Sequence, residues 1–350
     1  MQKIQNVLMK YLMPIANKLE QQKHIQAIKD GIVASIPIII IGSFCTIFLG
    51  IANLLGSGPV YDFLNANMGV LTYASAFTND MLAVYATYFI AKTLSEKYDL
   101  KGSQPAVTAL VVFFILCAVV KDGQLNTSYL GSTGLFTGIV AALFTVEIYH
   151  LCYERKWYIK MPESVPPMVQ DSFAALVPLV LNTIIAVAIA NLSLTFGKVA
   201  FPQLIMNVLA PAVTGSGLTL GLNILMMRSK AKSLSSVGKV SIIPGLFGIN
   251  EPLIFGTPII LNPFMFIPFV FGPLICTTIV YLTMNLGLVG KPIANPPGFL
   301  PPGVSAFLMT LDWKSVVLVF VLLILQTVFY YPFFKMMEKE ELQKEQALEK

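Results

Sequence analysis

Charge is what this sequence has least of: Lys, Arg, Asp and Glu make up 12% of its 350 residues, and 56% are hydrophobic. Soluble domains average about 25% charged residues, so with a mean hydropathy of +0.74 this composition is that of an integral membrane protein. Apolar runs of the crossing length of about 17 to 25 residues recur along most of the chain and leave no room for a sizeable soluble domain. Soluble catalysis and nucleic-acid binding are thereby excluded. Histidine is also scarce, with two residues, and Cys45, Cys117, Cys152 and Cys276 show no metal-type spacing. They read as small buried hydrophobes, and neither a metal nor another cofactor is expected.

What is present is a series of apolar stretches, at about 31 to 54, 69 to 92, 104 to 120, 133 to 152, 173 to 195, 213 to 227, 263 to 288 and 313 to 334. They predict an all-α membrane fold of about eight crossings. The net charge of +5 lies mostly in the ends and short loops and reports orientation. Eight crossings put Lys92, Lys97 and Lys101, then Arg155, Lys156 and Lys160, then Arg228, Lys230, Lys232 and Lys239 on one side, with both termini cytoplasmic. Met1 to Asp30 is charged throughout and carries Ile4, Val7, Leu8, Tyr11, Ile15 and Leu19 at helical spacing. An amphipathic surface helix is expected there over 1–30, with no cleavable leader. Gly197 to Val213 reads as a second amphipathic surface stretch, and 335–350 as a charged cytoplasmic helix extension.

Two segments are not simple spans. Lys160 to Asp171, KMPESVPPMVQD, is Pro-rich and is expected to stay non-helical until about Asp171. It predicts a linker at 161–172 between a membrane domain at 31–160 and another at 173–334. The other segment is Pro244 to Pro263, PGLFGINEPLIFGTPIILNP, where Glu251 sits in an apolar stretch cut by Pro and Gly. A charge at membrane depth costs about 2.5 to 3.5 kcal/mol even on the insertion scale, so 240–262 is expected to be re-entrant backbone lining a polar cavity.

A sugar site needs donors and acceptors for hydroxyls and apolar surface for ring faces. Asn250 and Glu251 offer the first, Phe247 and Phe255 the second, and a buried carboxylate can also accept a hydroxyl proton as general base. The alternative for Glu251 is a structural carboxylate that caps a half-helix or pairs with Lys or Arg. Gly215 and Gly217, in GSGLTLG, can admit a ligand or serve close helix packing. The basic run RSKAKSLSSVGK, Arg228 to Lys239, can hold a partner's phosphate or act as a topogenic loop. Glu147, Tyr149 and His150 read as interfacial anchors or as partners of Arg155, His24 as a solvated-face residue, and Asp80 as the cap of the helix that follows it.

Three stretches carry a resemblance: MPESVPPMVQDSFAALVP at 161–178, GSGLTLGLNILMMRSKAKSLSSVGKVSIIPGLFGINEPLIFGTPIILNPFMFIPFVFGPL at 215–274 and YYPFFK at 330–335. Together they resemble the IIC permease component of the bacterial sugar phosphotransferase system (PTS), in its lactose, cellobiose and diacetylchitobiose family. The resemblance implies a homodimer in the cytoplasmic membrane, multi-pass in the lipid bilayer, whose N-terminal half makes the dimer interface. Its C-terminal half would hold the sugar between two re-entrant hairpins. It further implies IIA and IIB partners, with a phosphocysteine on IIB to which none of this chain's cysteines corresponds. Asn250 and Glu251 fall on the asparagine and glutamate of the second hairpin, Glu251 binding or activating the sugar hydroxyl. Two departures stand out. The block that carries the first hairpin and its Gly-Ile-His-Gly motif is absent before Gly215, and 291–303 reads KPIANPPGFLPPG where relatives often carry an aromatic and threonines. A shortened, non-transporting binding or regulatory subunit is therefore the alternative expectation, and a proton-coupled transporter using Glu251 a third.

Overall fold

The computed structural model describes residues 21–100, 103–117, 120–121, 124–125, 127–205, 219–257, 262–293 and 300–348, with Val120, Lys121, Gln124, Leu125, Glu251, Pro263 and Leu348 described by their backbone alone. In chain order the helices are α1 (Lys23–Ala34), α2 (Ile36–Leu55), α3 (Pro59–Ala66), α4 (Met68–Ala76), α5 (Leu82–Lys97), α6 (Gln104–Cys117), α7 (Leu135–Glu154), α8 (Pro167–Ala174), α9 (Leu176–Leu192), α10 (Leu220–Met227), α11 (Lys232–Leu246), α12 (Glu251–Gly256), α13 (Pro263–Asn285), α14 (Pro302–Thr310) and α15 (Trp313–Leu348). The described residues are otherwise loops and single helical turns, apart from a two-residue antiparallel pairing of Val120–Lys121 with Gln124–Leu125. The protein is an all-α, multi-pass membrane protein. Among the described residues five helices are long and apolar enough to cross a bilayer: Ile36–Leu55, Ser132–Glu154, Pro167–Gly197, Phe264–Asn285 and Trp313–Ala347, with Gln104–Cys117 apolar but shorter.

One compact unit is formed by the described parts of Leu19–Ile38 and Ala76–Pro211. Its core joins Ala83 of α5, Val112, Phe113, Leu116 and Cys117 of α6, Ala141 of α7 and Ala186 of α9. Small residues let these helices approach closely: a Cβ at Gly31 of α1 would strike the backbone of Ile90 in α5. Helix α8 begins at Pro167, earlier than the three prolines lead one to expect. Pro167 occupies the first helical position, where its missing N–H has no intrahelical partner to lose. After it, α9 packs against α6 and α7, so this unit runs past the Pro-rich connector.

The expected crossing at 69–92 is broken. Helix α4 stops at Ala76, a single 3₁₀ turn covers Asn79–Met81, and α5 starts at Leu82 with Met81 in the N-cap position and no side-chain cap. Asp80 therefore does not cap α5. Thr78, Asn79 and Asp80 are residues whose short polar side chains compete for local backbone bonds, and that favours such a turn over helix. Residues 1–20 of the surface helix expected over 1–30, 206–213 of the second amphipathic stretch, and 294–299 of the second departure lie outside the described residues.

The second unit is formed by the described parts of Ile39–Ser75 and Ala212–Lys350. Helix α15 is its spine, packed by α10, α13, α14 and, more lightly, α11. Gln326, fully buried in α15, donates to the carbonyl of Pro268 in α13 at 3.4 Å and accepts from Cys276 Sγ at 3.5 Å. Asp312 starts α15: Oδ1 accepts from Lys314 N at 3.0 Å and Oδ2 from Gly290 N at 2.9 Å. These backbone bonds hold its carboxyl below the usual carboxylate range. At about 1.5 Å per residue α15 is about 54 Å long, well beyond a bilayer core of about 30 Å. Its apolar run ends at Phe334, and Lys335 onward forms the charged helical extension that the sequence predicts.

Candidate functional site

Helix α11 ends in a Schellman motif that follows directly from Gly248. With φ of +79° this residue takes the left-handed conformation that glycine adopts without strain. Its N–H then donates to Gly245 O at 3.2 Å and the N–H of Ile249 to Pro244 O at 3.0 Å, satisfying carbonyls that a helix end leaves open. Asn250 follows at the N-cap of α12, its carbonyl accepting from Leu253 N at 3.1 Å and Ile254 N at 2.9 Å. Glu251 is the first residue of α12 and Pro252 the second, where proline is tolerated.

The chain then doubles back. Gly245 lies against α10 at Asn223, while Thr257, just past α12, sets its Oγ1 3.6 Å from Met226 Sδ of the same helix. Phe247 is half-buried at the end of α11 and Phe255 is buried in the last turn of α12. The turn 247–250 thus brings Asn250 and the Glu251 backbone together, with Phe247 leading in and Phe255 leading out. Gly215 and Gly217, and the side chain of Glu251, lie outside what is described.

The structure adds two residues that sequence reasoning missed. Asn223 of α10 and Ser241 of α11 are 1% and 2% exposed, and neither the carboxamide of Asn223 nor the hydroxyl of Ser241 has a hydrogen-bond partner among the described residues. Ser241 shares the buried face of α11 with Gly238, which packs on the backbone of Met226 and Met227, and half-buried Gly245, one turn on, lies beside Asn223. Unmade bonds of this kind cost about 1 to 3 kcal/mol each, so polar groups left in an apolar seam next to the turn ask for an explanation. The signal was available: Asn223 is the one polar residue in LGLNILMM.

A polar knot ties the other unit. His24 Nε2 and the Tyr98 hydroxyl both meet Glu147 Oε1 at 2.7 Å, the rings of Tyr98 and His150 lie 4.1 Å apart, and Lys23 Nζ stands 4.8 Å above the Tyr98 ring. Glu147 is thus paired with His24, a residue 123 positions away, where the sequence suggested Arg155. Burial and the Glu147 carboxylate push the Tyr98 hydroxyl up to about 12, which keeps it a donor at neutral pH. Among the described residues no group of three or more His, Cys, Asp or Glu is placed to hold a metal ion.

Comparison with known proteins gives these features a context. The family model described as "Phosphotransferase system, EIIC" matches residues 29–211 and 183–273. The lichenan permease IIC component of Bacillus subtilis (strain 168) is 30% identical over 441 aligned positions, which cover 100% of this chain and 97% of that protein. The PTS system cellobiose-specific EIIC component of Geobacillus stearothermophilus is 29% identical over 96% of this chain and 94% of its own length. Among solved structures, the transporter ChbC, the IIC component from the N,N'-diacetylchitobiose-specific phosphotransferase system, superposes with a TM-score of 0.51 at 27% identity, covering 97% of this chain and 99% of that one.

Proposed function

Because this chain belongs to the phosphotransferase-system EIIC family, we propose that it is the permease of a PTS transporter that takes a β-linked disaccharide or oligosaccharide such as cellobiose. The observation that carries the reading is the 247–250 turn, which joins the end of α11 to the start of α12 and puts Asn250 at the N-cap and the Glu251 backbone at the first helical position in an otherwise apolar segment. Asn250 and Glu251 bind sugar hydroxyls, Phe247 and Phe255 supply apolar surface, and Gly215 and Gly217 let the ligand approach. Glu251 takes the proton of the reacting hydroxyl as its oxygen bonds to phosphorus and the phosphorus–sulfur bond of a phosphocysteine on a separate IIB chain breaks. IIA reloads IIB. The protein works as a homodimer in the bacterial cytoplasmic membrane, with 31–160 at the dimer interface, 173–334 holding the sugar and both termini cytoplasmic.

The test is phosphorylation-coupled uptake by protein reconstituted with its IIA and IIB chains. Glu251→Gln is expected to lower the rate by about 10²-fold or more, the scale of a lost general base. Uptake unaffected by that change removes Glu251 from the site.

One observation favours a second reading. The lichenan permease alignment has 441 positions and this chain 350 residues, so at least 441 minus 350, or 91, positions hold none of it, although both chains are covered nearly end to end. A shortened subunit that binds or regulates without transporting fits such an internal loss. A folded dimer that gives no heat with cellobiose in titration calorimetry would favour it.

A further inference from the structure

Helix α11 lacks a cap of its own. Its N-cap position is Ala231, with no side-chain hydrogen bond, although Ser, Thr, Asp or Asn usually satisfies the first amides of a helix from that place. The bonds come instead from α15, more than 100 residues later. Glu338, 5% exposed, accepts at Oε1 from the Lys230 N–H and from the Ser229 hydroxyl, both at 2.8 Å, and pairs through Oε2 with Lys335 Nζ at 2.6 Å. The same Ser229 oxygen accepts from Ala231 N at 3.1 Å. Glu345, two helical turns further along the same face of α15, accepts from Lys232 N at 3.1 Å and Ser233 N at 2.8 Å.

Two carboxylates therefore hold the entrance of α11, and the helix transmits what they hold. It is 15 residues long, seats Gly238 on the backbone of Met226 and Met227, and runs unbroken into the Schellman turn at Gly248. Ordinary capping needs no partner from another helix, and a charge-assisted bond to a peptide N–H fixes direction as well as distance. We infer that Glu338 and Glu345 are positioning residues: by fixing the first turn of α11 against α15 they set where the Asn250–Glu251 turn stands. The inference rests on the reading of 247–255 as part of the sugar site, and its test can be separated from that reading.

The full chain is placed in lipid nanodiscs and peptide hydrogen exchange is followed in wild type, in Glu338→Gln with Glu345→Gln, and in Glu341→Gln, whose carboxylate pairs with Lys344 within α15. In the double variant, exchange should rise about tenfold over 229–235, the factor that corresponds to about 1.4 kcal/mol, and also over 245–250. Glu341→Gln should leave both segments unchanged. In reconstituted uptake the double variant should raise KM for cellobiose with little change in kcat, whereas a merely structural loss lowers the active fraction and leaves KM alone. Unchanged exchange over 229–235 overturns the clamp. A rise there with 245–250 unmoved, or an unchanged KM, overturns the positioning role. A wild-type protein that takes no cellobiose counts against the sugar-site reading alone, since the two exchange segments still decide the clamp.

Discussion

Asn223 is the residue whose environment matches its chemistry least. A carboxamide that is 1% exposed with neither end bonded among the described residues destabilises the fold, so the apolar isostere Asn223→Leu is expected to raise the melting temperature of the purified protein, by the equivalent of about 1 to 2 kcal/mol. A fall in melting temperature would mean that the amide has a partner in the folded protein. Measured together with cellobiose binding, the same variant tells whether the amide serves the ligand: higher stability with weaker binding places Asn223 beside the sugar. At this scale the sequence was informative where chemistry is local. Gly248 was visible as a breaker, and the left-handed conformation of the Schellman turn is what a glycine after a helix favours. Asn223 stands out as the one polar residue of its segment, but the meaning of Asn223 and Ser241 was not legible, because it comes from two helix faces meeting, and periodicity in one segment does not say which face another helix covers.

Among the elements, α15 combines two environments, an apolar run to Phe334 and a charged extension that holds the start of α11. Burial alone would raise the Glu338 carboxyl, but the Lys335 ammonium, the Lys230 N–H and the Ser229 hydroxyl outweigh it and hold the group below its ordinary 4.5. Glu345 is held low by the Ser233 backbone and side chain and by the Lys232 N–H. A carboxylate with a depressed folded pKa contributes stability in full above its unfolded pKa and loses it as pH falls through the folded one. The extension should therefore stay docked at pH 6 to 7 and release as pH drops below about 4.5. Spin labels at Ala231→Cys and Leu342→Cys should report one short distance at neutral pH and a broad distribution in acid. In Glu338→Gln with Glu345→Gln the distance distribution should not respond to pH. The extension itself was readable from its composition, yet its docking partners were not, since the bonds join residues 108 to 113 positions apart.

For the whole molecule, the membrane class and the family followed from composition and from three matching stretches. The break at Thr78–Met81 did not, because a short polar triplet in an apolar run leaves the run's mean hydropathy high. Nor did the packing of α9 against α6, which no single segment encodes. The orientation proposed above has a direct check. Single cysteines at Lys101, Arg155 and Lys230, in a chain freed of its own four, should resist a membrane-impermeant maleimide in intact cells and react in inside-out vesicles. Labelling of any one of them from outside overturns the common side. The knot around Tyr98 offers a simpler instrument. The chain has two imidazoles, and the fold brings both to the same tyrosine, Tyr98, at 6.3 Å and 4.1 Å between ring centres. Isotopic labelling of histidine alone would therefore turn a 350-residue membrane protein into a two-signal spectrum, both signals arising from a single locus where α1, α5 and α7 meet.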